Sequence, residues 1–99
     1  MVLEIADFTI KAGTEDEFAA AVQEGLPHLA ATPGFLGARL TRGIESPSRF
    51  VLMVEWESVE AHNVGFRESD RFPKWRALIG PYFDGNPYVE HTVDVLRSS

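Results

Sequence analysis

The strongest constraint on the fold is the consecutive apolar run Phe50–Val54, inside a strand predicted over residues 49–57. Successive side chains of a strand point to opposite faces, so an unbroken apolar run predicts a central strand that is covered on both sides. The first predicted strand, over residues 2–11, has apolar side chains at odd and even positions and leads to the same interpretation. The sheet is therefore expected to need a covering layer on each face.

A helix is predicted between these strands. Thr14 and Glu17 have the spacing of a capping box, and the segment 32–34, Thr-Pro-Gly, is a typical helix end. Pro27 is expected to kink this helix near Gly25, because it removes a backbone hydrogen bond. The apolar stripe of the helix consists of Phe18, Val22, Leu26 and Leu29. The other predicted elements are a strand over 35–42, helical segments over 58–66 and 72–79, and a strand over 88–96.

The element order βαββαβ predicts one α+β domain over residues 1–99, with a ferredoxin-like, four-stranded antiparallel sheet. In this arrangement the helices cover one face of the sheet only. Because the strands are apolar on both faces, the second face is expected to pack against the same face of another subunit. The sequence thus predicts a homodimer formed through the sheet faces.

Composition narrows the classes of function. The net charge of −6 opposes nucleic-acid binding, and the absence of cysteine excludes disulfides and thiolate chemistry. No segment approaches the ~20 apolar residues of a membrane span, and the first residues lack the basic start of a signal peptide. His28, His62 and His91 are far apart in sequence, which predicts no metal site. We expect a cytoplasmic protein that binds neither nucleic acid nor membranes.

Aromatic side chains are concentrated in the second helical region and are expected to lie near the sheet. They could line a cavity for an aromatic ligand, or they could simply fill the core. The residues concerned are Phe66, Phe72, Trp75, Tyr82 and Phe83.

Three polar residues are candidates for the chemistry. His62 lies beside the aromatic segment and titrates near neutral pH, so it is the first candidate for proton transfer. His91 shares a strand face with Val89 and could face either the core or a dimer interface. Arg39 could bind an oxyanion, or pair with Asp7, Glu55 or the second subunit. The sequence leaves these alternatives open.

Several segments closely resemble antibiotic biosynthesis monooxygenase domains. The resemblance implies a dimeric α/β barrel, and its family includes cofactor-independent oxygenases of quinols or polyphenols as well as haem-degrading enzymes. It covers nearly the whole chain. The segments that carry it include Glu45–Leu52, Val54–Ser58, Glu60–His62, Trp75-Arg76, Ile79–Phe83 and Val89–His91.

The haem-degrading relatives rely on an Asn, a Trp and a His, where this chain has Ala6, Phe66 and either Trp75 or Arg76. Many quinol-oxidising relatives carry a His at the position of Phe66. Haem degradation is therefore disfavoured. The residue at this position also does not assign the chain to the quinol-oxidising relatives.

The resemblance implies a cofactor-independent monooxygenase with an aromatic, quinol-like or polyketide-like substrate. The alternative is a non-catalytic small-ligand-binding or stress-responsive dimer of the same fold. Within the first hypothesis, the predicted catalytic residues are His62 and Arg39, and the predicted substrate-binding residues are Phe66, Trp75, Tyr82 and His91.

Overall fold

The computed structural model describes residues 1–99 and has the predicted ferredoxin-like fold. Its four strands form one antiparallel sheet, in which residues 35–42, 49–56, 2–9 and 88–92 lie side by side in that order. None of the helices combines the length and apolar character needed to cross a bilayer. The strands are β1 (Val2–Thr9), β2 (Phe35–Arg42), β3 (Arg49–Trp56) and β4 (Tyr88–Thr92). The helices are α1 (Glu15–Ala30) and α2 (Arg71–Ile79), with a π-helical turn at Ala61–Phe66 and a 3-10 turn at Gly80–Tyr82.

The two faces of the sheet have different surroundings. The even-numbered side chains of β1 and β3 are buried under the helices, and Phe18 of α1 packs against Phe8 and Phe50 with ring centroids 5.5 and 5.0 Å away. The odd-numbered side chains lie on the other face, which no element of this chain covers. There Ile5 and Val51 are only half-buried. The central position predicted for Phe50–Val54 is confirmed, since β3 has a neighbouring strand on each side.

The predicted capping box at the start of α1 is wrong. The Thr14 hydroxyl donates a hydrogen bond to the carbonyl of Lys11 at 2.7 Å instead of capping the helix, and Glu17 is exposed. The carboxylate of Glu15 accepts a hydrogen bond from the Gly13 backbone at 2.9 Å. The turn that precedes the helix therefore uses the hydroxyl that the sequence pattern assigned to the cap. The helix runs through Pro27 to Ala30, close to its predicted end.

The second helical region differs from a regular α-helix. Ser58 caps it as predicted, because its hydroxyl accepts a hydrogen bond from the Ala61 backbone at 3.1 Å. The residues that follow form a π-helical turn, closed by a bond from the Arg67 N–H to the His62 carbonyl at 2.9 Å. This wider turn buries both His62 and Phe66 against the sheet.

The last strand is shorter than predicted. β4 ends at Thr92, which pairs with Leu3, and only Val2 of β1 lies beyond that pair. The segment 93–96 therefore has almost no neighbouring strand within the chain to bond with. Its apolar side chains Val93, Val95 and Leu96 are 63%, 95% and 90% exposed.

Candidate active site

A small cavity lies between the helix-covered face of the sheet and the second helical region, as the aromatic residues predicted. Its volume is about 70 Å³, and most of its lining residues are hydrophobic. A cavity of about 150 Å³ is known to accept benzene, so an aromatic ring would enter this one only if the wall opened. The predicted aromatic residues that line it are Phe66, Phe72, Trp75 and Phe83.

Glu4 provides a carboxyl group in the cavity wall. It lies on the helix-facing side of β1 and is only 6% exposed. The indole N–H of Trp56 donates a hydrogen bond to its Oε1 at 2.9 Å. Burial raises the pKa of Glu4 from 4.5 to about 7, although the Trp56 hydrogen bond and the positive charge of Arg67 act in the opposite direction. Glu4 can therefore gain or lose a proton near neutral pH.

His62 lies directly beside Glu4. Its Nε2 is 3.3 Å from Glu4 Oε1, and its ring stacks on Trp56 with centroids 5.2 Å apart. Burial, the neighbouring His91 and the charge of Arg67 lower the pKa of His62 to about 4. Although 3.3 Å would suit an ion pair, burial favours the uncharged form of each group, since it raises the pKa of Glu4 and lowers that of His62. The contact is better described as a hydrogen bond to a neutral imidazole.

A third residue extends this arrangement to the edge strand of the sheet. His91 of β4 is half-buried, and its Nε2 lies 2.8 Å from His62 Nδ1. If Glu4 is ionised, His91 can donate to His62 and His62 to Glu4. If Glu4 is protonated, the direction of donation can reverse, so that Glu4 donates to His62 and His62 donates to His91. We call this hydrogen-bonded series the Glu4–His62–His91 chain; it can move a proton between the cavity and the half-buried His91 without a charged intermediate at His62.

Three predicted site residues do not line the cavity: His91, which is connected to it only through His62, and Tyr82 and Arg39. Tyr82 is in the 3-10 turn and contacts Phe18, with ring centroids 6.2 Å apart, while the neighbouring Phe83 lines the cavity. Arg39 lies on the uncovered face of the sheet, where its guanidinium is 3.8 Å from the Met53 sulfur. The structure thus does not bring Arg39 together with His62 within one chain.

The interaction considered for Arg39 and Asp7 is also absent. Asp7 lies on the uncovered face and accepts hydrogen bonds from Arg49, with a shortest N–O distance of 2.7 Å. The structure forms no ion pair between Arg39 and Glu55 either. A pairing of Arg39 with a second subunit stays a prediction.

Sequence reasoning missed Glu4, Trp56 and two arginines, Arg67 and Arg76, that line the cavity. The sequence held no clear signal for Glu4, because β1 has apolar side chains at both odd and even positions, and only the structure shows that Glu4 shares the buried face with Ala6. Trp56 is fully buried in the core, and its indole N–H gives it a polar role beside Glu4 as well.

The histidines do not assemble a recognisable metal site. His62 and His91 are adjacent, but the contact between them uses one ring nitrogen of each. No group of three or more His, Asp, Glu or Cys side chains is arranged to hold a metal ion.

The family model for antibiotic biosynthesis monooxygenases matches residues 1–78. The chain belongs to this family. The match covers β1, β3 and the second helical region, which supply Glu4, Trp56 and His62.

Similar proteins extend the match to nearly the full chain. A crystal structure of a Bordetella bronchiseptica protein that bears the family's name is 40% identical, covers 96% of this chain and 97% of its own, and has a TM-score of 0.93. The uncharacterized protein YczJ of Bacillus subtilis is 37% identical and covers 96% of this chain and 100% of its own. SnoaB, a cofactor-independent oxygenase from Streptomyces nogalater, is 19% identical, with a TM-score of 0.76, and the match covers 99% of this chain and 94% of SnoaB. At that identity SnoaB supports the fold alone.

Proposed function

We propose that the protein is a cofactor-independent monooxygenase that removes a proton from a quinol-like aromatic substrate, with Glu4 as the base. The observation that carries this proposal is a buried carboxyl group with a pKa of about 7 in the wall of an aromatic cavity. A base works best near the pH at which it is half-protonated. Membership of the monooxygenase family supports the same class of reaction.

The chemistry needs only the substrate, oxygen and a proton acceptor. Glu4 takes a proton from the substrate, and the resulting electron-rich anion transfers electrons to O₂. For a ring CH₂ group, a C–O bond forms and the peroxide takes the proton back from Glu4 to give a hydroperoxide. Glu4 then removes the second C–H proton, the O–O bond breaks, and the hydroxide leaves as water with that proton, which leaves a carbonyl. The substrate is oxidised, O₂ is reduced, and the proton held by Glu4 can return to the departing oxygen. The mostly apolar wall would exclude water from these steps.

The Glu4–His62–His91 chain gives the proton a route from the cavity to the half-buried His91 on the edge strand. Because His62 stays neutral above its pKa of about 4, transfer would occur by exchange of hydrogen bonds along the chain. In this proposal His62 and His91 are proton carriers, and Trp56 positions the Glu4 carboxyl group through its 2.9 Å hydrogen bond. Phe66 and Trp75 would contact the substrate ring.

The test is oxygen consumption with a panel of hydroquinones and anthrones, followed by mass spectrometry of products, with metals and flavin removed. The wild-type protein is expected to consume oxygen with at least one of them and to form a quinone or hydroxylated product. Glu4→Gln keeps the side-chain shape but cannot accept the proton, so kcat is expected to fall by about 10²–10⁴-fold.

Glu24→Gln is the matched control, because Glu24 is exposed on α1, away from the cavity. It should retain wild-type turnover. Turnover by Glu4→Gln at the wild-type rate would overturn the assignment of Glu4 as the base. Saturable binding of an aromatic compound without any product would favour the alternative, a ligand-binding protein.

A further inference from the structure

Two arginine side chains form part of the cavity wall. Arg67 follows the π-helical turn and Arg76 lies on α2, and both residues are exposed. Neither side chain forms an ion pair or a hydrogen bond with another residue of the chain. By contrast, Arg49 binds a carboxylate and Arg71 binds a hydroxyl and a backbone carbonyl. The cavity therefore has two guanidinium groups without polar partners in its wall.

Aromatic stacking accompanies both groups. The Arg67 guanidinium lies 5.4 Å from the centre of the Phe72 ring, and the Arg76 guanidinium lies 5.4 Å from the centre of the Phe83 ring. Contact with a ring face leaves the N–H donors at the edge of the guanidinium available. These donors have the geometry to bind a carboxylate with two parallel hydrogen bonds.

The charge of the cavity is opposite in sign to that of the whole chain. The protein has a net charge of −6, but the permanently charged groups of the lining are Arg67 and Arg76. The other ionisable lining residues are Glu4 and His62, and the positive charge of Arg67 lowers the pKa of both. The field of Arg67 thus reaches the inner end of the cavity, where it favours negative charge.

We propose that the cavity selects small aromatic carboxylic acids, with the ring among Phe66 and Trp75 and the carboxylate on Arg67 and Arg76. This inference deepens the proposed function and rests on the same cavity as its substrate site. It assigns the two arginines a role in specificity that is separate from proton removal by Glu4. A neutral ring of the same shape would leave both guanidinium groups without a partner.

The small volume of the cavity fits a site in which the ring lies inside and the carboxylate binds the two arginines. At about 70 Å³ it is too small for a ring, so part of its wall must move on binding. Arg67 and Arg76 are exposed, whereas the inner residues Phe66 and Ile79 are only 1% exposed. The arginines are therefore the parts of the wall that can move with little loss of packing. A carboxylate bound at the rim would hold them in the open position.

The test compares two ligands that differ in charge, 2,5-dihydroxybenzoate and its neutral amide 2,5-dihydroxybenzamide. Binding is measured without oxygen by calorimetry and by quenching of tryptophan fluorescence, since Trp75 lines the cavity. The acid is expected to bind at least about 10-fold more tightly than the amide, as charge-assisted hydrogen bonds predict. Arg67→Gln and Arg76→Gln should each weaken binding of the acid by about 10-fold and leave binding of the amide almost unchanged.

Lys74→Gln is the control for charge, because Lys74 is exposed on α2 and does not line the cavity. It should leave the preference for the acid intact. The proposal is overturned if the two ligands bind equally, if neither binds at millimolar concentration, or if the preference persists in the folded double arginine variant. Because no turnover is measured, this result is independent of oxygenase activity. Conversely, a neutral hydroquinone that is oxidised while the acid does not bind would retain the proposed function and reject the specificity.

Discussion

At the scale of single residues, burial acts on Glu4 and His62 in opposite directions. The pKa of Glu4 is raised from 4.5 to about 7, so its protonation favours folding below pH 4.5, and this stabilisation is lost as the pH rises through 7. The pKa of His62 is lowered from 6.5 to about 4, so its contribution is present above pH 6.5 and is lost as the pH falls through 4. The two effects largely cancel across the overlap of these windows.

Replacing either Glu4 or His62 should therefore reveal how titration of the remaining residue changes the free energy of unfolding with pH. The free energy of unfolding of His62→Gln is expected to fall as the pH rises from 4.5 to 7, by about 3 kcal/mol for a pKa raised to about 7. That of Glu4→Gln is expected to rise from pH 4 to 6.5, because only His62 then titrates. Urea unfolding at several pH values measures these slopes. Parallel profiles for the two variants would contradict the opposed titration.

The sequence predicted one of these two residues and missed the other for a physical reason. His62 could be selected because its residue type titrates near neutrality and its neighbours are aromatic. From the sequence, Glu4 could not be assigned to a face, because β1 has apolar side chains at both odd and even positions. Asp7, at an odd position of the same strand, could equally have been the buried acid. Only the packing of the helices on one face shows that Glu4 is buried and that Asp7 reaches Arg49 on the other.

At the scale of elements, the distance between α1 and α2 depends on a glycine. A Cβ atom at Gly25 would lie 2.6 Å from Cε3 of Trp75, closer than such contacts allow. The sequence suggested Gly25 as the place of a helix kink. The structure shows that its missing side chain makes room for an indole that lines the cavity.

Gly25→Ala is thus expected to push Trp75 into the cavity or to separate the helices. Overpacking costs about 1–3 kcal/mol, and the better helix propensity of alanine offsets up to about 1 kcal/mol. Urea unfolding should show a net loss of about 0–3 kcal/mol, and near-ultraviolet circular dichroism should show a changed tryptophan environment. Gly80→Ala is the control, because its Cβ would meet only the Arg76 side chain, at 3.9 Å. An unchanged tryptophan spectrum in Gly25→Ala would contradict this role of the contact.

Elements with a clear hydrophobic period were predicted well, and local deviations were not. The sheet and α1 follow from apolar patterns that extend over eight or more residues. The hydroxyl of Thr14 could cap the helix or bond to the preceding turn, and the sequence spacing is the same for both. The π-helical turn depends on how His62 and Phe66 pack on the sheet, which no local pattern specifies.

At the scale of the whole molecule, the sheet has one face covered by helices and one face left open. The open face carries the half-buried residues Leu3, Ile5, Val51 and Met53, surrounded by charged residues of both signs such as Arg39, Glu55 and Glu90. An apolar centre with a rim of mixed charge suits a second copy of the same surface, because each charge can meet its opposite across a twofold axis. We therefore propose that the open faces of two subunits pack together.

Ile5→Lys tests this proposal, because it places a charge at the centre of the open face. Within a single chain the new side chain would lie beside Glu90, its partner on β4, so the fold itself should tolerate the change. Sedimentation analysis is expected to give twice the 11.0 kDa mass of one chain for the wild type and the mass of one chain for Ile5→Lys. The far-ultraviolet circular dichroism of the variant should be unchanged. Gln23→Lys, on the exposed side of α1, adds the same charge and should remain dimeric. A wild-type protein that sediments as a monomer at micromolar concentration, or a dimeric Ile5→Lys variant, would show that this face is not the interface.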